Sequence, residues 1–288
     1  DPINPETGKS WGWSDVADLN YDNQELRKEM TSDMLHWIKN ENIDGFRCDV
    51  ASNVPLDFWQ QAIPQLRKEK NIFMLAEAWE PELLKEGLFD MAYNWEGHHT
   101  MNRIAQGKNT VKDWDKFMTE NERKYSADDI LMNFIDNHDE NSWNGTVKGR
   151  LGKAEEAMTA LSYVMPGMPL IYSGNEYGLN HSLKFFEKDS IPKTKGKDWE
   201  LRAKLGMLKA ENPALNGGKN KANYTRIQTS DDTNILAFVR EKNGKKVVYF
   251  ANFSDNTVEV EISFEGKFTN YLKQNSVTLS KDKKMQIR

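Results

Sequence analysis

The chain has 288 residues and a formal net charge of -5, with 38% hydrophobic and 29% charged residues. This composition is typical of a globular protein and argues against a disordered chain. The mildly acidic balance offers no basic surface for nucleic acid, and no run of about 20 apolar residues predicts membrane insertion. The one cysteine, Cys48, excludes an intrachain disulfide, and we expect it to be a buried small side chain.

The first part of the chain predicts a loop, a helix and a buried strand. Residues 1–23 are rich in turn formers. From residue 24 to 40, Leu26, Met30, Met34, Trp37 and Ile38 recur at the spacing of an amphipathic helix. The helix leads into an apolar run at 43–51, which predicts a strand.

The same alternation continues to residue 172. Short apolar runs predict strands at 72–77, 88–93, 130–135 and 168–172, and helical patterns cover 58–70, 99–124, 151–164 and 199–210. We expect Pro64 to break or kink the first of these helices. Strands and helices alternating at roughly 30-residue intervals predict βα units, a parallel sheet and an α/β fold.

The period of the apolar residues changes near the C-terminus. Alternation with period two predicts strands at 235–239, 247–251 and 258–262, with a turn at 242–245 between the first two. We therefore predict two domains, an α/β domain over residues 1–217 and a separate antiparallel β domain over 218–288. The lysine-rich tract 184–204, inside the first of these domains, is interpreted as a solvated loop, with substrate access as the alternative.

Carboxylates follow three of the predicted parallel strands. Asp49, Glu77 and Asp139 stand at strand ends, where α/β enzymes place their active sites. Arg47 points to the same face as Asp49, since residues i and i+2 of a strand do so, and should keep Asp49 ionised. Glu77 lies among apolar neighbours and could hold a proton. A nucleophile paired with a proton donor is the arrangement of a retaining glycosidase.

Five segments resemble the α-amylase family, glycoside hydrolase family 13. They are Asp-Leu-Asn at 18–20, Gly-Phe-Arg-Cys-Asp at 45–49, Leu-Ala-Glu-Ala-Trp at 75–79, Phe-Ile-Asp-Asn-His-Asp at 134–139 and Gly-Met-Pro-Leu-Ile-Tyr-Ser-Gly-Asn-Glu at 167–176. The resemblance covers essentially the whole chain. It implies barrel strands four to eight, the second half of a TIM (β/α)8 barrel, followed by a C-terminal antiparallel β-sandwich.

The resemblance also implies catalytic roles. Asp49 is then the nucleophile, Glu77 the acid/base, and Asp139 the carboxylate that grips sugar hydroxyls and stabilises the transition state. Arg47 orients Asp49, and His138 hydrogen-bonds the sugar at the cleavage point.

Three aromatic residues are candidates for stacking on sugar rings: Trp79, Tyr93 and Trp95. Ordinary packing is at least as good an interpretation of Tyr93 and Trp95. His98 and His99 lack metal-ligand spacing, and we expect them to be exposed.

The chain departs from the family pattern in two places. Ser52 and Asn53 replace the Lys and His that many α-amylases carry after the nucleophile, so Asn53 takes the position that contributes to calcium binding and acceptor recognition. Ser142 stands where exo-acting α-glucosidases of the family often have Arg, which favours endo action. The implied chemistry needs no organic cofactor, and a structural calcium ion is compatible with the family.

The family's first three strands have no counterpart in this sequence. We expect an upstream segment, because the chain begins without Met. An open barrel wall leaves unpaired strand edges, so we also expect a companion N-terminal half or self-association. The cellular location is left open, with a preference for a secreted or periplasmic enzyme because polymer-degrading enzymes are usually exported.

Two classes of function follow from these observations. The first is a retaining hydrolase of α-1,4-linked starch-like glucans or maltooligosaccharides, with cyclomaltodextrinases, neopullulanases, α-glucosidases and transglycosylases as close enzymatic alternatives. The second is a carbohydrate-binding fragment without turnover. The three carboxylates favour the first class, and the missing strands favour the second.

Overall fold

The computed structural model describes residues 3–4, 7–13 and 15–287. The α-helices are α1 (Gln24–Asn40), α2 (Leu56–Glu69), α3 (Trp95–Ala105), α4 (Val111–Lys124), α5 (His138–Trp143), α6 (Val147–Leu151), α7 (Glu155–Val164) and α8 (Lys197–Glu211). The strands are β1 (Gly45–Cys48), β2 (Phe73–Ala76), β3 (Met91–Tyr93), β4 (Leu131–Asn133), β5 (Met168–Pro169), β6 (Asn223–Arg226), β7 (Ile235–Lys242), β8 (Lys245–Asn252), β9 (Val258–Val260), β10 (Gly266–Asn270), β11 (Asn275–Leu279) and β12 (Met285–Ile287). The chain forms two compact units, Asp1–Ala92 and Tyr93–Arg288.

The first unit contains parallel strands, as the sequence predicts. Strand β1 pairs with β2 in the register Gly45↔Phe73 to Cys48↔Ala76, and β2 pairs with β3. Gly45 has a φ of +150°, and a Cβ atom there would lie 1.8 Å from the carbonyl oxygen of Phe73. The start of β1 therefore requires glycine, because only glycine allows the two backbones to approach so closely.

Helix α1 has the predicted bounds but a different buried face. Its start is fixed by Asn23, whose side chain accepts hydrogen bonds from the backbone N–H groups of Glu25 and Leu26. Ile38 is buried, but Trp37 is 53% exposed. The buried positions include Arg27, which forms an ion pair with Asp57 of α2 at 2.8 Å. A charge that is partnered across two helices can thus occupy a face that apolar periodicity does not reveal.

Helix α2 runs through Pro64 from Leu56 to Glu69, so the predicted break is wrong. Proline removes one helical hydrogen bond. The helix also buries Phe58, Ile63 and Leu66, each at most 1% exposed. Burial of each large apolar side chain stabilises the fold by about 1.5–3 kcal/mol, which is enough to offset the lost hydrogen bond.

Two predicted helices of the second unit are each divided by a glycine. The stretch 99–124 consists of α3 and α4, with Gly107 at φ +67° between them. Helix α4 begins with a capping box in which Thr110 and Asp113 bond each other's backbone N–H groups. The stretch 151–164 is interrupted by Gly152 at φ +51°. A glycine with positive φ ends a helix at little steric cost.

Strands β4 and β5 of the second unit are also parallel, with the register Met132↔Met168. Asn133 on β4 is fully buried, and both polar atoms of its side chain are hydrogen-bonded. Its amide nitrogen donates to the carbonyl of Pro166 at 2.9 Å, and its oxygen accepts from Asn94 at 2.9 Å. The buried amide therefore fixes β4 to both neighbouring segments.

The C-terminal strands are antiparallel, as predicted. Strands β6, β7 and β8 form one sheet, β9 pairs with β12, and β10 pairs with β11. The two residues between β7 and β8, Asn243 and Gly244, have φ values of 51° and 73°. Positive φ at both central positions is the conformation of a tight type I′ hairpin turn.

Strand β7 faces two hydrophobic clusters. Leu236 and Phe238 pack with residues of α3, α4 and α7, whereas Ala237 and Val239 pack with residues of β9, β11 and β12. The predicted boundary between residues 217 and 218 lies inside this second compact unit and stays a prediction. The architecture is an α/β fold with parallel strands and a C-terminal antiparallel β region.

Candidate active site

The first unit brings Arg47, Asp49 and Glu77 together. Arg47 lies on β1, and Glu77 directly follows β2, which pairs with β1 in parallel register. One guanidinium nitrogen of Arg47 contacts Asp49 Oδ1, and the other lies 3.1 Å from Glu77 Oε2. A single guanidinium therefore contacts both carboxylates.

The loop after β1 is held against Glu77. The Val50 N–H donates to Glu77 Oε2 at 2.9 Å, and the Ala51 N–H donates to the Glu77 carbonyl at 3.0 Å. Val50 has φ +40° and ψ +49°, a left-handed conformation that is strained for a β-branched residue. The backbone strain lies directly next to the two carboxylates, as is common at functional sites.

The two carboxylates differ in accessibility. The Asp49 side chain is 69% exposed and the Glu77 side chain only 13%. Asp49 is thus open to an incoming molecule, and Glu77 is sheltered. The contacts of Glu77 with Arg47 and the Val50 N–H favour its charged form, so they oppose the expectation from sequence that apolar surroundings keep it protonated.

Two other predicted residues of the first unit lie on the surface. Trp79 is 47% exposed and follows Glu77 by two residues. Asn53 is exposed on the short 3-10 turn Ala51–Asn53 that follows the strained loop. Both offer side chains to solvent close in sequence to the carboxylate cluster.

The second unit places His138 and Asp139 at the start of α5, after β4. The Asn137 side chain caps the helix by accepting from the Glu140 N–H at 2.8 Å. His138 Nε2 lies 3.4 Å from Asp139 Oδ2, and the two side chains are 42% and 35% exposed. These two predicted residues thus present an imidazole and a carboxylate to solvent.

A buried polar network lies behind this pair. Asp136 is 1% exposed and forms an ion pair with Arg150 at 2.7 Å. Asn175 donates to the same carboxylate at 3.3 Å, and Asn141 donates at 3.5 Å. Burial raises the pKa of Asp136 to about 6, while the Arg150 charge and the two amides oppose that rise.

His98 belongs to the same network. It is 1% exposed, so the predicted exposure is wrong. Its Nδ1 lies 3.0 Å from the Phe134 carbonyl and its Nε2 lies 3.1 Å from Glu140 Oε2. Burial acts to raise the pKa of Glu140, but the His98 hydrogen bond and the Arg150 charge outweigh it and lower that pKa. The prediction failed because His98 is buried by partners 36 and 42 residues away in sequence.

Tyr93 and Trp95 pack on each other in the second unit. Tyr93 is 4% exposed, its ring stacks on Trp95 at 5.7 Å, and it meets Phe134 edge-on at 5.6 Å. A ring that is covered on this scale presents little face to a sugar. The structure therefore favours packing over substrate stacking for Tyr93.

Comparison with known proteins gives this arrangement a family. The family model for the alpha amylase catalytic domain matches residues 11–242, which is more than half of the chain. The chain belongs to the α-amylase family. Asp49, Glu77, His138 and Asp139 all lie within the matched range.

Curated relatives have related names at low identity. Alpha-amylase MalA of Haloarcula japonica is 23% identical over 259 residues, which are 89% of this chain and 38% of that protein. The intracellular maltogenic amylase of Bacillus subtilis is 26% identical over 83% of this chain and 42% of its own length. The chain thus spans about two fifths of the length of these relatives.

Solved structures share the α-amylase fold. A noncanonic maltogenic alpha-amylase AmyB from Thermotoga neapolitana superposes with a TM-score of 0.84 at 24% identity, over 99% of this chain and 69% of that one. An alpha-amylase from Lactobacillus plantarum has a TM-score of 0.81 at 25% identity, over 98% and 69%. The likeness at this identity establishes the fold.

A metal ion in a protein is usually held by several side chains that converge on one point. Within residues 3–4, 7–13 and 15–287, no three or more His, Cys, Asp or Glu side chains converge on a point that could hold a metal ion. Over the same ranges, no helix is long and apolar enough to cross a membrane.

Proposed function

We propose that the chain carries the catalytic groups of a retaining glycoside hydrolase that cleaves α-1,4 bonds of starch-like glucans or maltooligosaccharides. The observation that carries this proposal is the contact of one Arg47 guanidinium with both Asp49 and Glu77. Retaining enzymes need two carboxyl groups only about 5–5.5 Å apart, whereas inverting enzymes leave room for a water between them. Two carboxylates that contact the same guanidinium lie close together, which favours the shorter separation of a retaining enzyme.

Asp49 and Glu77 have separate roles in this mechanism. The exposed Asp49 carboxylate attacks the anomeric carbon and forms a glycosyl–enzyme ester, while Glu77 transfers its proton to the departing glycosidic oxygen. Glu77 then takes a proton from water, whose oxygen attacks the anomeric carbon and releases Asp49. Arg47 holds the Asp49 carboxylate in position for the attack.

Glu77 must acquire a proton before the first step, although its contacts favour the charged form. Closure of a sugar over the cluster removes water from both carboxylates and strengthens their mutual repulsion. Since Glu77 is already sheltered whereas Asp49 is largely exposed, the proton is taken up by Glu77. We therefore propose that substrate binding, rather than the free enzyme, sets the protonation of the acid.

The resemblance to the α-amylase family gives roles to further residues of both units. Asp139 stabilises positive charge at the anomeric carbon through its carboxylate, and His138 hydrogen-bonds the same sugar. Trp79 stacks on a sugar ring, and Asn53 binds on the acceptor side. The chemistry uses side chains alone and needs no organic cofactor, and a structural calcium ion would need ligands besides Asn53.

The architecture proposed for the whole enzyme is a (β/α)8 barrel followed by a β-sandwich. The chain would supply barrel strands four to eight, and its parallel registers and the α-amylase family match support that assignment. The remaining strands would come from a companion N-terminal half or from self-association. Both arrangements cover the open edge of β1.

The first test is the release of reducing ends from soluble starch and from maltoheptaose by the chain. We expect activity that falls by about 10⁴-fold in Asp49→Asn, because removal of a nucleophile abolishes the covalent route. The matched control is Asp44→Asn at the other end of β1, whose side chain is 91% exposed and pairs only with Lys70 among the ion pairs of the described chain. This control should keep its activity.

The anomeric form of the first product tests the mechanism. NMR of the initial product should show the α anomer, since two inversions retain configuration. An initial β anomer would overturn the retaining mechanism. Equal activity of Asp49→Asn and Asp44→Asn would remove Asp49 from the mechanism, and binding of maltoheptaose without turnover would make the chain a carbohydrate-binding fragment.

A further inference from the structure

Three exposed aromatic rings adjoin each other in the second unit. Trp143 at the end of α5 is 61% exposed, and Phe185 and Phe186 are 40% and 70% exposed. The Trp143 and Phe185 ring centroids are 5.2 Å apart, and those of Phe185 and Phe186 are 4.9 Å apart. We call these three residues the aromatic platform. Adjoining exposed apolar rings are unusual on a protein surface and mark a binding site, unlike single exposed rings.

Buried polar contacts hold the platform in place. Asn141, which is 1% exposed, donates to the His181 carbonyl at 3.2 Å and accepts from the Leu183 N–H at 2.7 Å. The Ser142 hydroxyl donates to the Leu183 carbonyl at 3.0 Å. Two consecutive residues of α5 thus attach the segment that carries both phenylalanines to the helix that carries Trp143. The rings are positioned without burying one another.

The platform is continuous with the proposed catalytic residues. The Phe185 ring is stacked against the His138 imidazole, with centroids 6.3 Å apart and an interplanar angle of 29°. Asp139 follows His138 in the same turn of α5. A ligand held at His138 and Asp139 would therefore extend onto the rings of Phe185, Trp143 and Phe186.

Polar residues flank the two phenylalanines in sequence. Lys184 pairs with Glu187 at 2.6 Å, and His181 pairs with Asp189 at 2.8 Å, all within the same segment. A glucose unit has one face of C–H groups and an edge of hydroxyl groups. The C–H face suits the negative face of an aromatic ring, and the hydroxyl edge suits the flanking carboxylates and ammonium groups. The combination matches a carbohydrate better than an apolar peptide.

We propose that Trp143, Phe185 and Phe186 bind glucose units of an α-glucan beyond the unit held by His138 and Asp139. This inference rests on the proposed function for the identity of the ligand. The platform then makes the enzyme select for longer chains, since a short oligosaccharide ends before it reaches Phe186. The lysine-rich loop that the sequence singles out begins at this platform.

The test compares binding of maltoheptaose and maltotriose by calorimetry, in an Asp49→Asn background that prevents turnover. Trp143→Ala should weaken maltoheptaose binding about tenfold, as loss of a central aromatic contact does. Phe186→Ala should act in the same direction. Both should weaken maltotriose binding less, so that the ratio of the two affinities falls. Trp143→Phe keeps a ring face and should restore most of the affinity.

The matched control is Trp37→Ala in the same background, because Trp37 is a comparably exposed tryptophan on α1, at 53%. Its maltoheptaose affinity should equal that of the background. Equal affinity in Trp143→Ala, Phe186→Ala and Trp37→Ala would overturn the platform. So would equal losses for the two sugars.

The proposed function is tested separately in the active chain. Starch hydrolysis with no change of chain-length preference in Trp143→Ala would reject the platform and leave the hydrolase standing. Sugar binding that depends on Trp143, in a chain that releases no reducing ends, would reject the hydrolase and leave the platform standing. Circular dichroism on each variant verifies folding, which truncation of such exposed rings should not change.

Discussion

The polar cluster of the first unit and the polar network of the second are built on opposite plans. The cluster of Arg47, Asp49 and Glu77 is small and partly exposed to solvent, and the Asp49 side chain is 69% exposed. Asp136 and Arg150 are buried, at 1% and 8% exposed, and are bonded to several amides. Both follow the ends of parallel strands. Position at a strand end therefore does not by itself distinguish residues available to substrate from residues that hold the frame.

The two plans predict different consequences of mutation. Loss of an ion-pair partner changes stability little when the carboxylate is exposed, because water replaces the partner. When a buried charge loses its partner, the free-energy cost of removing that charge from water is no longer offset. Changes in the first cluster should thus lower activity, and changes in the second should lower stability.

The largest stability effect is expected for Arg150→Met, which leaves Asp136 buried without its ion-pair partner. We expect a loss of about 3–5 kcal/mol in the free energy of unfolding, measured by urea denaturation. Arg103→Met on the exposed side of α3 is the matched control and should change it by about 0.5 kcal/mol or less. Similar losses in both variants would erase the distinction between the two clusters.

The next effect concerns strain in the open cluster. Val50→Gly should stabilise the chain by about 1 kcal/mol, since glycine adopts the left-handed conformation without strain. Val54→Gly is the control, because Val54 has φ -89° and ψ 134°, where valine is favoured and glycine should destabilise. Urea unfolding of both variants measures the difference. Destabilisation of the two by the same amount would show that Val50 stores no strain.

The last effect depends on pH and concerns a half-buried amine of the second unit. Lys209 donates to the carbonyls of Gly167 and Leu215 at 2.6 and 2.8 Å. Burial lowers its pKa to about 7 from the usual 10.5, and the nearby Arg240 charge adds to the effect. Between these values the unfolded chain binds a proton that the folded chain does not, so this contribution to stability is complete above pH 10.5 and is lost as the pH falls towards 7.

Comparison with Lys209→Met isolates that contribution. From pH 7.5 to 9 the free energy of unfolding of the parent should rise by about 2 kcal/mol relative to the variant, in urea denaturation at each pH. A constant difference between parent and variant would mean that Lys209 titrates alike in both states.

Much of the fold was predictable because local patterns and tertiary packing agree. The bounds of α1 follow from its apolar spacing and the Asn23 cap, and the strand after it follows from a short apolar run. The position of the Asn243–Gly244 turn follows from its residue types. The sequence also predicts that Arg47 and Asp49 lie together, since their spacing on a strand requires it.

The remainder depends on contacts between distant residues. His98 and Arg150 have the residue types of a surface, and partners from other elements, among them Glu140 and Asp136, make their burial possible. The same holds for Arg240, which is fully buried and donates to the carbonyls of Val164 and Asn216. No periodicity in the sequence records such pairs, because each partner is supplied by another element.

Asn141 connects two regions that could otherwise change independently. Its hydrogen bonds to that segment involve the backbone atoms of His181 and Leu183 and no side chain of the segment. Residues 184–186 can therefore be exchanged for others without loss of the anchor. Substitutions in this segment, by evolution or design, could place other aromatic or charged side chains there. They would change the preference for chain length without changing the proposed catalytic residues.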